Sequence, residues 1–307
     1  MTPAKIATVT TAKSDPARTD SERAAWAQRI AHDPWPQRIV CLTEESVETL
    51  YLLGEERRIV GISGFTVRPP QARKEKPKVS AFTSAKIDEI LKLEPDLVIG
   101  FSDMQAEIAA TLIRAGVEVW VSNHRSVAGI LAYIRRLGAW VGASERTEAL
   151  VAQLTAGLHT VAEAANRLPV RPKVYFEEWD EPMISGILWV HELIALAGGE
   201  PLFPERAQAP LARDRIIADP AEVVRAAPDL IIGSWCGKKF RPEQVAARPG
   251  WGAIPAVARG QLVEIKSPLI LQPGPAALTD GLQALAKAIE RAAQAAAQSR
   301  PGCDRTV

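Results

Sequence analysis

One twelve-residue pattern occurs twice, and it constrains the fold more than any other feature of the chain. Residues 89–100 read Glu-Ile-Leu-Lys-Leu-Glu-Pro-Asp-Leu-Val-Ile-Gly, and residues 222–233 read Glu-Val-Val-Arg-Ala-Ala-Pro-Asp-Leu-Ile-Ile-Gly, 133 positions later. Each copy describes a short helix that ends before proline, because the residue preceding proline resists helical geometry. Asp then turns the chain into a short β-branched strand that ends at glycine. An aromatic follows closely in both, Phe101 and Trp235. Two copies of one helix–strand unit predict two related halves.

The segments around the repeat alternate in the same way. β-branched runs predict strands at 38–42, 58–62, 97–100, 117–121, 173–177, 230–233 and 261–265. Helical stretches are predicted at 45–53, 85–93, 104–115, 127–141, 144–167, 190–197, 219–226 and 278–297. Strands that alternate with helices imply an α/β fold with mainly parallel sheets. The stretch from Ser144 to Arg167 runs without Pro or a Gly-Pro interruption, and its apolar positions (Val151, Leu154, Leu158, Val161) keep helical spacing. It lies between the two copies of the repeat, as a stiff connector would. The expected organisation is an N-terminal tail (1–36, with a short helix near 21–31), a first α/β lobe (37–143), a linking helix (144–168), a second α/β lobe (169–297) and a C-terminal tail (298–307). Each lobe would be Rossmann-like.

Composition narrows the function. Lys plus Arg is 37 and Asp plus Glu is 36. That balance excludes the strong basic excess of a general nucleic-acid binder. Three cysteines at 41, 236 and 303 give no disulfide framework and no zinc spacing. Four scattered histidines (His32, His124, His159, His191) announce no metal site. No apolar run approaches the roughly 20 residues of a membrane span. The first 30 residues have many charges and no apolar core, so a signal peptide is not expected. Read as written, the chain would be cytoplasmic; with a trimmed or misassigned start it would be periplasmic.

Ligands of open α/β sheets bind beyond the carboxyl ends of the strands. Those loops are rich in large aromatics, which suit a broad, partly apolar ligand. The candidate contacts are Phe82, Phe101, Trp179, Trp189 and Trp235, with His124 and Glu178 as polar partners. The run Glu177-Glu178-Trp179-Asp180-Glu181 could be read as a carboxylate pair of a hydrolase, but also as a solvated strand end. Cys41 and Cys236 could ligate a metal or be small buried hydrophobes. Lys238, Lys239 and Arg241 could recognise an anion or form an ordinary turn. No phosphate loop occurs; Gly198-Gly199 reads as a helix cap. A catalytic site would need converging acid, base or nucleophile groups, and the chain shows none, so it is not expected to be an enzyme.

The run Arg38-Ile-Val-Cys-Leu-Thr-Glu-Glu-Ser-Val-Glu-Thr-Leu, followed by Leu-Leu-Gly and Ile-Val-Gly-Ile-Ser, resembles the first lobe of the helical-backbone (class III) substrate-binding proteins. These proteins serve ABC importers of vitamin B12, ferric siderophores and haem. Val79-Ser-Ala-Phe, Leu97-Val-Ile-Gly, Ala197-Gly-Gly and the second Pro-Asp-Leu continue the likeness, which covers about residues 37–292. The cobalamin-binding branch looks most similar. There Phe82 stands in the place of a corrin-contacting tryptophan, and Phe101 lies near another. The resemblance implies a monomer of two lobes that holds a cobalamin-like corrinoid between them, without a covalent cofactor or membrane insertion. Ferric siderophores or haem are the alternative ligands; a corrinoid-processing enzyme or hydrolase is the alternative class. The family docks a carboxylate of each lobe onto its permease. Asp88 or Glu89 fits the first position and Glu222 the second, where Ala221 stands opposite Asp88. A leaderless relative that handles a corrinoid inside the cell is the other role the resemblance allows.

Overall fold

A computed structural model describes residues 34–299; the tail helix expected at 21–31, most of both tails, His32 and Cys303 lie outside them. Five strands, β1 (Ile39–Cys41), β2 (Ile59–Ser63), β3 (Lys78–Ser80), β4 (Leu97–Phe101) and β5 (Val119–Ser122), form a first sheet in the order β3-β2-β1-β4-β5. Every pair in it is parallel. Parallel strands need crossovers, supplied by α1 (Glu44–Leu52), α2 (Ala72–Glu75), α3 (Ile87–Lys92) and α4 (Ala106–Arg114). After β5 come α5 (Val127–Trp140) and the long α6 (Ser144–Ala165). The strand order reverses direction at β1 and β4, the switch point where such sheets place a ligand.

The second sheet follows α6. It runs β10-β9-β6-β7, with β8 beside the start of β6. Its strands are β6 (Lys173–Asp180), β7 (Met183–Ser185), β8 (Glu200–Pro201), β9 (Leu230–Gly233) and β10 (Leu262–Glu264). Only β7 is antiparallel, a hairpin return from β6. The helices of this half are α7 (Leu188–Leu196), α8 (Pro204–Ala207), α9 (Ala221–Ala226), α10 (Pro242–Ala246), α11 (Pro255–Ala258) and α12 (Ser267–Ile270). A π-helical stretch, Ala277–Gly281, leads into α13 (Leu282–Ser299). Strands β3, β7 and β8 were not foreseen. They have two or three residues each, too few to show alternation; Pro77 and Pro182 immediately precede β3 and β7, and β8 contains Pro201.

The repeat has a structural reason. Asp96 accepts the backbone N–H groups of Gln37 (2.6 Å) and Arg38 (2.9 Å) at the start of β1. Asp229 accepts the N–H of Lys173 (3.0 Å) at the start of β6. In each half the aspartate on one strand caps the entrance of the neighbouring strand. Glu94 and Ala227 occupy equivalent positions and share a positive φ, 46° and 49°. Each ends its helix in the left-handed conformation one residue before proline.

Alternation within the strands divides the core. Ile39, Cys41, Leu97, Ile99, Val174, Phe176, Leu230 and Ile232 belong to one cluster that reaches both sheets through α5, α6, α7 and α13. Val40, Leu42, Val79 and Val98 face the other side of the first sheet. Tyr175 and Ile231 do the same in the second, with Trp235, Phe240 and Trp251. Buried on both faces, these strands read as continuous apolar runs. Helices α5 and α6 pack closely because Gly138 lies against Thr147; a Cβ at Gly138 would stand 1.8 Å from Thr147 Oγ1.

Candidate ligand-binding site

The parallel first sheet sends all its carboxyl-terminal loops to one end. There the chain exposes large apolar side chains: Phe65 after β2 and Met104 after β4 are each 53% exposed, and Val67 is also exposed. Phe82, after β3, is half-buried. Phe101 is buried at the end of β4, with the Arg125 guanidinium 5.2 Å from its ring centre. One residue ties these loops together. Gln105 is wholly buried; its amide nitrogen Nε2 donates to Phe82 O (2.9 Å) and Leu42 O (3.4 Å), while Oε1 accepts from Phe101 N (2.9 Å). Gln105 thus sets the height of both predicted aromatic contacts. A lone amide four residues after Phe101 gives no sequence signal of that role.

His124 is buried and fully engaged. Its Nε2 lies 2.6 Å from Pro273 O and its Nδ1 2.5 Å from Ser122 Oγ. A carbonyl only accepts, so Nε2 carries the proton and Nδ1 accepts from the Ser122 hydroxyl. The ring stacks on Tyr133 at 4.5 Å and meets the edge of Phe101 at 5.3 Å. Burial lowers its pKa to about 4, so it is neutral. The structure makes His124 a link between the first sheet and the returning chain, with both nitrogens occupied.

In the second half, Glu178 and Trp179 lie at the end of β6. Arg215, 1% exposed, grips Glu178 through two nitrogens at 2.5 and 3.0 Å. Trp179 is half-buried, with its indole N–H on Glu181 O (2.8 Å). Lys238 Nζ stands 5.5 Å from the Trp179 ring and 5.1 Å from the Trp235 ring, paired with Asp180 at 2.5 Å. Trp235 itself is buried against Phe240 and donates to Glu177 (3.2 Å). Trp189 is buried on α7 and donates to Ile270 O (2.8 Å). The structure therefore brings Phe82, Phe101 and His124 together on one sheet and Glu178, Trp179 and Trp235 on the other. It places Trp189 in the core between them. The loops of the two halves approach one another. Burial pulls the Arg125 guanidinium below its ordinary pKa, Arg215 adds to the pull, and Asp103 and Glu178 oppose it. Cys236, at the end of β9, has its thiol raised by burial, and Glu44 and Glu178 both contribute. Cys41 is wholly buried in the core.

The beginning of α1, which meets the chain returning from the second half, is acidic. Glu44, Glu45 and Glu48 at the start of α1 are all buried. Burial raises Glu44 to about 8 and Glu45 to about 7, and raises Glu48 as well. Glu48 accepts from Ala276 N (3.0 Å) and pairs with Arg68, which also holds Asp280 (2.9 Å). Glu192 on α7 accepts from Val127 N (2.6 Å) and so caps α5. Among the described residues no group of three or more His, Cys, Asp or Glu is arranged to hold a metal ion. No helix among them is long and apolar enough to cross a membrane.

The profile of one protein family, described as periplasmic binding protein, matches residues 39–269. The chain belongs to that family. The family is one of binding proteins and not of enzymes. The vitamin B12-binding protein of Vibrio campbellii is 26% identical over 201 residues, 64% of this chain and 70% of that protein. Among solved structures, the apo periplasmic haem-binding protein RhuT of Roseiflexus sp. RS-1 is 25% identical with a TM-score of 0.69, covering 82% of this chain and 99% of that one. The periplasmic vitamin B12 binding protein BtuF of Vibrio cholerae shares the fold at 20% identity and a TM-score of 0.67, covering 84% of this chain and 98% of that one. Two α/β halves joined by a long helix are thus what this periplasmic binding protein and those structures have in common.

Proposed function

We propose that this periplasmic binding protein captures a cobalamin-like corrinoid between its two sheets and delivers it, as a monomer, to an ABC permease. The observation that carries the reading is the apolar rim of exposed Phe65 and Met104 and half-buried Phe82 beyond the strands of the first sheet, together with half-buried Trp179 at the end of β6 in the second. A rim of that kind suits a large ligand with a flat apolar face. His124 supports it too, because both of its nitrogens are engaged. A corrinoid brings its own axial ligands to cobalt, whereas haem iron is held by a protein side chain. Resemblance to vitamin B12-binding relatives points the same way.

Capture needs little lobe movement, because one apolar cluster already runs through both halves. Delivery would use the exposed first turn of α3, with Asp88 and Glu89, and its counterpart on α9, with Glu222. Glu89 is lightly tethered to Lys92 (2.9 Å). Glu222 is held by Arg206 (2.7 Å), so its carboxylate must exchange partners to dock. Such a role places the protein on the side of the membrane from which an importer loads.

Tryptophan fluorescence titrated with cyanocobalamin, hemin and a ferric hydroxamate tests the reading. Saturable quenching by cyanocobalamin in the micromolar range or below, weakened about tenfold or more by Met104→Asp, is the expected result. A saturable response to hemin or the hydroxamate alone would refute the corrinoid.

A further inference from the structure

A pocket of about 400 Å³ lies along the free edge of the first sheet, where β5 passes into α5. Trp120 forms a wall, and Arg125 and Arg136 both line it, together with Asn123. No acidic side chain lines it. The two guanidiniums are poorly neutralised. Among the described residues the carboxylate that pairs with Arg125 is Asp103, at 3.7 Å, and Arg125 donates to Asn123 Oδ1 at 2.9 Å. Its Nε is buried without a hydrogen-bond partner. Glu178, which faces it from the other half, is already taken by Arg215. Arg136 projects from the third turn of α5 and spends its Nε on Ala132 O (3.3 Å). Glu192, which reaches the start of α5, is committed to Val127 N. Trp120 is fixed by stacking on Tyr133 (5.3 Å) and Trp140 (5.7 Å).

A buried donor without a partner is costly, and a guanidinium suits the planar oxygens of phosphate or carboxylate. We infer that this pocket is an anion site that holds a phosphate or carboxylate group between Arg125 and Arg136. The group could be a free anion or an acidic substituent of the cargo; the chemistry is the same. The site stands on its own geometry and does not depend on the corrinoid reading.

The test is calorimetric, on the full chain, with inorganic phosphate, cyanocobalamin and dicyanocobinamide. Cobinamide lacks the phosphodiester of cobalamin. Saturable phosphate binding that falls about tenfold or more in Arg136→Gln and in Arg125→Gln supports the site. Tighter binding of cyanocobalamin than of dicyanocobinamide, with the gap closed in Arg136→Gln, supports it and makes the cargo the source. Phosphate binding with equal affinity for the two corrinoids supports it and makes a free anion the source. Phosphate binding or a corrinoid gap that persists in both variants overturns the site. So does the absence of both signals in the wild type. If neither corrinoid binds, the proposed function fails, and the phosphate titration alone still decides the site. Arg136 is exposed, so its substitution leaves the fold intact and a thermal melt verifies this.

Discussion

Gly274 lies directly on Glu45: a Cβ at Gly274 would stand 2.5 Å from Glu45 Cβ and 3.1 Å from its Cα. This contact joins the chain leaving the second sheet to the first turn of α1. The backbone of Glu45 cannot move aside as a flexible side chain would. Gly274→Ala is therefore expected to cost about 1–3 kcal/mol, read as a lower urea midpoint with an unchanged slope.

Arg248 binds the wholly buried Glu177 at 2.6 and 2.9 Å, beside Tyr175 and Trp235. Arg248→Met strands a carboxylate in the core. The expected loss is about 3–5 kcal/mol. Adding Glu177→Gln should recover part of it, and a double-mutant cycle in urea measures the coupling.

Ala227 adopts φ 49° without being glycine. A left-handed conformation costs roughly 1–2 kcal/mol for an L-residue, partly offset by the entropy that glycine loses on folding. Ala227→Gly should raise stability by up to about 1 kcal/mol. A thermal melt in which the variant unfolds earlier than wild type would contradict the assignment.

Stability should fall between pH 6.5 and 8. Glu44 and Glu45, raised by burial to about 8 and about 7 from an unfolded value of 4.5, bind more protons folded than unfolded. Their contribution is complete below the unfolded value and is lost as pH rises through the folded ones. His124 and His191, lowered by burial to about 4 from 6.5, act in the opposite direction between those values. Above pH 6.5 only the glutamates remain. Facing them are Cys236 and Arg73 for Glu44, Tyr133 and Cys41 for Glu45, and Arg68 and Asp280 for Glu48. Urea midpoints across this range should slope downward in the wild type and less steeply in Glu44→Gln.

Much of the architecture was legible because it rests on local patterns. The two Pro-Asp copies carry their helix stop, left-handed residue and strand cap within twelve residues. The uninterrupted run after Ser144 forms a helix to Ala165. The candidate site was legible only in part. Aromatics after strands could be located, but not their depth. Trp189 and Trp235 follow strand or helix boundaries like Trp179, yet both turn inward to hydrogen-bond Ile270 and Glu177. That choice depends on partners 81 and 58 residues away. Gln105 and Arg215 escaped notice for the same reason: a buried polar side chain is defined by what it reaches across the fold. Exposed Met104 follows a Ser102 held at φ 64°, a backbone turn no residue pattern announces.

The apolar cluster that runs uninterrupted from β1 through α6 to β9 has a calorimetric consequence. Two halves that swung apart would have to wet that cluster, and each square ångström would cost roughly 25 cal/mol. Binding therefore begins from halves already joined. The heat-capacity change on cargo uptake should then scale with the apolar surface of the cargo and the few loops that cover it, and not with the far larger area that a closing hinge would remove from water.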